Sequence, residues 1–167
     1  MATATVPNSE LERLAKELER GTLVISIAGL TSVSAKAFIL AELIKTSGKK
    51  FAIVTDSNSS LDAWESNLGF WSKAATVALP SFETDIYSGV SPHAETQERR
   101  ALALWQLTIG QPDFFVTTAI SLVGRTVLPD EVRKLGAALK RDEDFPLDEL
   151  IERLSAVGYV KRATHEP

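Results

Sequence analysis

The turn at residues 29–36 has the residue types that come closest to a site for chemistry. It reads Gly-Leu-Thr-Ser-Val-Ser-Ala-Lys and follows an apolar run. A working phosphate-binding loop, G-x-x-x-x-G-K-[ST], wraps the phosphates in backbone amides, neutralises them with lysine and holds magnesium with the hydroxyl. When the turn is aligned on Gly29, the second glycine is Ser34, the lysine is Ala35 and the hydroxyl position is Lys36. We therefore predict a degenerate phosphate loop, with no catalytic residue and no bound cofactor.

Lys36 is the residue on which an alternative interpretation depends. It comes one position late, which turns its side chain about 100° around the helix. No predicted strand is followed by an acid that holds magnesium, because Asp113 precedes its strand. Gly29 then simply closes a strand-to-helix turn, or marks a decayed site with weak anion binding. The alternative is a small NTP-binding enzyme with an atypical loop, in which Lys36 is the phosphate lysine.

The elements around this turn predict an α/β fold with a parallel sheet and flanking helices. Apolar, β-branched runs alternate with helical patterns, which is typical of buried parallel strands. The predicted strands are 23–28, 51–54, 76–79 and 114–118. The predicted helices begin at Ser9, at Ala35, at Ser59 and at Ser91-Pro92, where serine caps the helix and proline occupies the first turn. On the inner face of the last of these helices we expect Leu102, Trp105 and Ala101.

Three segments are expected along the chain. Residues 1–20 form a tail and a helix, and residues 21–134 form the α/β domain. Residues 135–167 are the truncated beginning of a small α+β domain. In that last segment, residues 137–139 and 159–163 are strand-like and residues 146–157 are helical.

Composition excludes several classes of function. The 167 residues contain 44% hydrophobic and 24% charged residues, as expected of a globular protein. The formal net charge of −4 gives no electrostatic footprint for nucleic acid. The chain has no cysteine, which excludes disulfides, thiolate nucleophiles and cysteine-based zinc sites. His93 and His165 are too few and too far apart for a metal site. We expect a soluble, cytoplasmic protein with no membrane association.

Three sequence blocks after the third predicted strand carry a resemblance to a known family. They are L-P-S-F-E-T-D-I-Y at 79–87, S-P-H at 91–93 and E-R-R-A-L at 98–102. This order resembles the N-terminal, UvrB-like region of bacterial transcription-repair coupling factors (Mfd), which typically show L-P-x-[WF]-E-T-x-x-Y, then S-P-H, then an E-R or S-R helix. The residues that match the family motif are Pro80, Glu83, Thr84, Tyr87, Ser91, Pro92, His93 and Arg99.

The resemblance implies a non-catalytic interaction module of transcription-coupled nucleotide excision repair. It implies a degenerate P-loop, helicase-like fold similar to domain 1a of UvrB. In the full-length family members this region recruits UvrA, whereas ATP, DNA and RNA polymerase are bound by other domains. In that family, the arginines that contact UvrA come after the position that aligns with Pro167. The resemblance therefore assigns no UvrA-binding residue in this sequence. A standalone adaptor with another partner is a third interpretation.

Overall fold

Three short parallel strands form the sheet in the computed structural model, which describes residues 8–84, 87, 89–110 and 112–156. The strands are β1 (Phe51–Thr55), β2 (Thr76–Leu79) and β3 (Phe114–Thr118), in the order β1-β3-β2. Phe114 of β3 pairs with Phe51 on one side and with Thr76 on the other. The α/β class and the parallel pairing are thus confirmed, and three of the four predicted strands are present.

Helices cover both faces of this sheet and extend beyond it. They are α1 (Asn8–Glu19), α2 (Val33–Ser47), α3 (Asn58–Trp71), α4 (Ala94–Ile109), α5 (Ala119–Val123), α6 (Pro129–Leu135) and α7 (Leu147–Ala156). No helix within the described ranges is both long enough and apolar enough to cross a membrane.

The core is split between the two faces of the sheet, because successive strand residues point to opposite sides. On one face, α2 and α3 pack on β1 and β3 through a cluster that comprises Ala37, Ile53, Leu61, Leu68, Phe114 and Val116. On the other face, α4 packs on β2 through Val77, Leu79 and Ala103. The two clusters thus hold α2, α3 and α4 against the sheet.

The strand predicted at residues 23–28 is wrong. The segment is not part of the sheet, and the exposed fractions of Leu23 and Val24 are 98% and 81%. Residues 23–31 form no backbone hydrogen bond with the described part of the chain. An apolar, β-branched run indicates only that a segment tolerates extended backbone, whereas a strand also needs a free strand edge beside it. The segment instead lines a groove together with residues of α1 and with Ile39 of α2, and most of it is exposed.

The start and the inner face of α4 also differ from the prediction. The helix begins at Ala94, so its cap position is His93 rather than Ser91, and His93 makes no side-chain cap hydrogen bond. Leu102 is 56% exposed, and the buried positions are Arg100 and Ala103. The prediction of the inner face failed because it admitted no charged residue there. Arg100 lies three residues before Ala103 and therefore on the same face of α4.

The described segment after β3 contains the helices α5, α6 and α7 joined by loops, and no strand. Residues 137–139 are not a strand, whereas the helix predicted at 146–157 is confirmed as α7. The strand-like run 159–163 lies outside the described residues. Trp105 of α4 packs against Gly136 at the end of α6, and the Arg153 guanidinium of α7 donates to the Gly136 carbonyl. Side chains near Gly136 therefore connect α4, α6 and α7.

Candidate functional site at the carboxyl edge of the sheet

The loops that follow the three strands meet at one edge of the sheet, because parallel strands all end on the same side. Ligand sites of open α/β sheets lie outside this carboxyl edge. The loop after β1 carries Asp56 and Asn58, and the loop after β2 carries Pro80, Glu83 and Thr84. Three residues of the first sequence block therefore lie at the edge of the sheet where open α/β folds bind their ligands.

Asn58 joins the loop after β1 to the loop after β2. Its Nδ2 donates to the Ser81 carbonyl at 2.9 Å, and its Oδ1 accepts from the Ser81 backbone N–H at 2.8 Å. The Ser81 hydroxyl also donates to this oxygen at 3.1 Å. Because Ser81 is buried, its backbone groups need such partners. β2 ends at Leu79, two residues before Ser81. The Asn58 side chain therefore supplies the hydrogen bonds that a neighbouring strand would otherwise make with Ser81.

Glu83 continues the same loop in an uncommon backbone conformation. Its φ of 52° lies in the left-handed region, which residues other than glycine and asparagine rarely adopt. Its Oε1 accepts a hydrogen bond from the Asn58 backbone N–H at 3.2 Å. A conformation of this kind costs roughly 1–3 kcal/mol and persists only where its surroundings hold it. The motif residue Glu83 is thereby tied to the loop after β1.

Arg100 fastens the loop after β2 from the side of α4. The exposed fraction of this arginine is only 7%. Its Nη1 donates to the Pro80 carbonyl and, at 3.0 Å, to the Ser121 hydroxyl. The Phe82 ring centroid lies 4.4 Å from its guanidinium carbon, within the range of a cation–π contact. Burial lowers the pKa of Arg100. The first and third sequence blocks are therefore in direct contact.

The neighbouring Arg99 has a different role, since its guanidinium faces α3. Its Nη2 lies 2.8 Å from an Asp62 oxygen and 3.0 Å from a Glu65 oxygen. Partial burial lowers the pKa of Arg99, but the hydrogen bond that it donates to Asp62 and the negative charges of Asp62, Glu65 and Glu95 more than offset this and raise it. This motif arginine links α4 to α3 and does not contact the loop after β2.

Buried hydroxyl groups fill the space below these loops. Thr117 Oγ1 donates to the Leu79 carbonyl at 3.1 Å, and Thr55 Oγ1 donates to the Thr117 carbonyl at 3.3 Å. Thr118 Oγ1 donates to Ser121 Oγ at 3.1 Å and accepts from the Ser121 backbone N–H at 3.2 Å. These hydroxyls connect all three strand ends and hold the acceptor of Arg100 in place.

The remaining motif residues lie outside this cluster. Tyr87, Ser91 and His93 are exposed, and Pro92 is half-buried, with its carbonyl accepting from Gln97 Nε2 at 2.8 Å. Sequence reasoning missed Asn58 and Arg100. Arg100 carried a signal, since it stands beside the motif arginine in the E-R-R-A-L block. Nothing in the sequence marks Asn58, because its partner Ser81 is 23 residues away.

The predicted phosphate loop lies elsewhere. Gly29 has a φ of 83° and lines a groove of about 560 Å³ between α1 and α2. Ser32 caps α2 by accepting from the Ala35 N–H, and Lys36 is the fourth residue of that helix. Ser34 Oγ accepts from Trp71 Nε1 at 3.0 Å. Trp71 ends α3 and Asn58 begins it, so roughly 20 Å of helix separates Ser34 from the carboxyl edge.

Comparisons with known proteins add no assignment: no protein-family model matches the chain, and no curated protein matches it. Within the described ranges, no three metal-ligating side chains come together. The arrangement at the carboxyl edge has a tethered loop, buried hydroxyls and one buried guanidinium. These polar groups bond to one another and hold the loops at this edge in place.

Proposed function

We propose that this chain is a protein-interaction module of bacterial transcription-coupled nucleotide excision repair, related to the UvrB-like N-terminal region of transcription-repair coupling factors. One observation carries the proposal. Three sequence blocks of that region occur in order between residues 79 and 102, and Arg100 of the third block contacts Pro80 and Phe82 of the first. The first and third blocks thus serve one local structure, which is a reason for them to occur together.

The carboxyl-edge geometry supports an interaction role over a catalytic one. The buried hydroxyls of Thr117, Thr118 and Ser121 all donate to or accept from neighbouring groups, and none of them donates a hydrogen bond to a basic side chain of the described residues that could activate a nucleophile. The support comes from residues 79–102. The loop at 29–36 adds none, because its Ser34 hydroxyl accepts a hydrogen bond from Trp71 Nε1. In this proposal the UvrB domain-1a-like ancestry accounts for the α/β sheet, and the partner is UvrA.

Binding to UvrA tests the proposal directly. Purified bacterial UvrA is immobilised for biolayer interferometry, and the chain is the analyte. We expect saturable binding with a Kd on the order of micromolar, since one small surface contributes to the contact. UvrB, added in excess, is expected to compete, because the proposal places this chain on a surface that UvrA uses for a related domain.

Two outcomes would contradict the proposed function. One is the absence of binding when the chain is supplied well above micromolar concentration. The other is binding that excess UvrB leaves unchanged, since that points to an unrelated surface. The Lys134→Ala variant serves as a control for surface charge, because Lys134 pairs with Glu131 on the exposed side of α6 and the variant should bind UvrA as the unchanged chain does.

A further inference from the structure

Arg100 is a buried charge without a counter-ion. It forms no ion pair with a carboxylate of the described residues, and its hydrogen-bond acceptors are a backbone carbonyl and a hydroxyl, both uncharged. Buried arginines are normally paired, since taking a charge out of water without an opposite charge is costly. Arg99, the adjacent residue on the same helix, has two carboxylate partners. The difference between these neighbours needs a physical reason.

The free donors of Arg100 are arranged for one kind of ligand. Both recorded hydrogen bonds use Nη1, and the Nε and Nη2 hydrogens donate to no described residue. The Phe82 ring contacts the guanidinium 4.4 Å from its centroid. The Nε–Nη2 edge of a guanidinium binds a planar oxyanion side-on, through two parallel hydrogen bonds. The unpaired edge of Arg100 is thus the edge that a carboxylate would use.

The carboxylates at the same sheet edge as Arg100 disfavour a ligand with two negative charges. The carboxylates of Asp56 and Glu83 follow β1 and β2 at the same sheet edge. Hydrogen bonds from Ser60 and Ser57 lower the pKa of Asp56, which keeps it ionised at neutral pH. Arg99 is already neutralised. Negative charges at this sheet edge repel a phosphate dianion about twice as strongly as a monoanion, because Coulomb repulsion scales with the charge of the ligand.

We infer that the Nε–Nη2 edge of Arg100, at the carboxyl edge of the sheet, is a binding site for a single carboxylate. The ligand is a carboxylate carried by a partner polypeptide or by a small organic acid. This inference does not depend on UvrA being the partner, because it rests on the unpaired guanidinium alone. It goes beyond the proposed function by naming the chemical group that the surface recognises.

The arginine side-chain resonances test the inference in the intact chain. Each Nε–H group gives its own ¹⁵N–¹H signal, which is assigned through the side-chain carbons without any variant. Acetate, inorganic phosphate and chloride are titrated separately at constant ionic strength. We expect acetate to shift the Arg100 Nε–H signal saturably, with an apparent Kd at least about tenfold below the values for phosphate and chloride. Arg99 is the internal control, because Asp62 and Glu65 already neutralise its charge, and its Nε–H signal should stay unchanged.

The source of the carboxylate is distinguished by two further probes. N-acetyl-aspartate amide represents a side chain of a partner polypeptide, and N-acetyl-glycine represents a chain terminus. Tighter binding of either probe than of acetate supports a polypeptide source, and equal binding supports a small acid. The Arg100→Lys variant keeps the charge but removes the side-on fork, so the acetate-dependent shifts of nearby backbone amides should weaken about tenfold.

An Arg100 signal that moves equally with acetate and chloride would overturn the inference, as would a signal that no carboxylate moves. These results come from the unchanged chain, so they hold even if Arg100→Lys fails to fold. A failure here together with normal UvrA binding removes only the carboxylate site. Acetate binding without UvrA binding removes only the proposed partner.

Discussion

At the scale of single residues, the carboxyl edge is held by side chains that imitate backbone. Asn58 meets both the N–H and the carbonyl of Ser81, at 2.8 and 2.9 Å, as a neighbouring strand would. Its own N–H is bound by Glu83. This places the loop after β2 at a fixed distance from the first turn of α3, and it keeps the peptide between Pro80 and Ser81 within reach of Arg100. The loop geometry therefore depends strongly on one amide.

The Asn58→Ala substitution should destabilise the protein by about 2–4 kcal/mol, because two buried backbone groups of Ser81 lose their partners. Chemical denaturation followed by tryptophan fluorescence measures the free energy of unfolding. The matched control is Asn67→Ala, since Asn67 donates only to the Ala63 carbonyl of its own helix. That variant should lose less than about 1 kcal/mol. Equal losses in the two variants would show that the Ser81 contacts contribute little.

How much of this site could be predicted differs from residue to residue. Pro80 and Glu83 were identified because their blocks are contiguous, and local sequence is sufficient to mark them. Arg100 was missed because a charged residue is expected to face solvent, and only tertiary contacts bury it. Arg99 was identified, but its ion pairs with Asp62 and Glu65 connect segments 34 or more residues apart. Pairings of that range leave no periodic signal in a sequence.

At the scale of elements, the strands and helices between residues 51 and 118 were predictable apart from the start of α4, and the segment at 23–28 was not. β1, β2 and β3 are apolar runs bounded by turn residues, and each finds a partner strand. The run at 23–28 is also apolar and β-branched, yet it lines a groove beside α1 and is mostly exposed. Composition indicates what backbone conformation a segment tolerates, and tertiary packing decides whether it pairs as a strand.

The contact between α4 and α6 provides a test at this scale. A Cβ atom at Gly136 would overlap the indole ring of Trp105. We expect Gly136→Ala to destabilise the fold by about 1–3 kcal/mol, the usual cost of overpacking. Trp105→Ala should itself cost less than the roughly 3–5 kcal/mol of a buried tryptophan, because Trp105 is half-buried.

Combining the two substitutions separates a steric effect from a backbone effect. Gly136 has a φ of −89°, which alanine adopts without strain, so only the indole should oppose the new methyl group. In the Trp105→Ala background, Gly136→Ala should therefore cost less than about 0.5 kcal/mol. Thermal unfolding of all four proteins gives the coupling energy. Additive losses would show that the two residues do not press on each other.

At the scale of the whole molecule, the phosphate-loop residues and the candidate site are at opposite ends of α3. Ser34 meets Trp71 at the last residue of that helix, whereas Asn58 begins it beside the carboxyl edge. A working phosphate loop follows a strand directly, so that its amides and the edge of the sheet hold one ligand together. Here residues 23–28 are not a strand, so the loop at 29–32 does not follow one. This separation, more than the loss of any one side chain, disfavours a nucleotide site.

A nucleotide titration therefore has a definite expected result. A fluorescent ATP analogue with magnesium should show no saturable binding below about 100 μM, because the loop lacks the strand, the second glycine and a lysine in phase. Ala35→Lys should not create binding or ATPase activity, since it restores the lysine alone and leaves Ser34 bonded to Trp71. The test of the alternative enzyme is Lys36→Ala: saturable binding by the unchanged chain that this variant abolishes would favour a small NTP-binding enzyme over an interaction module.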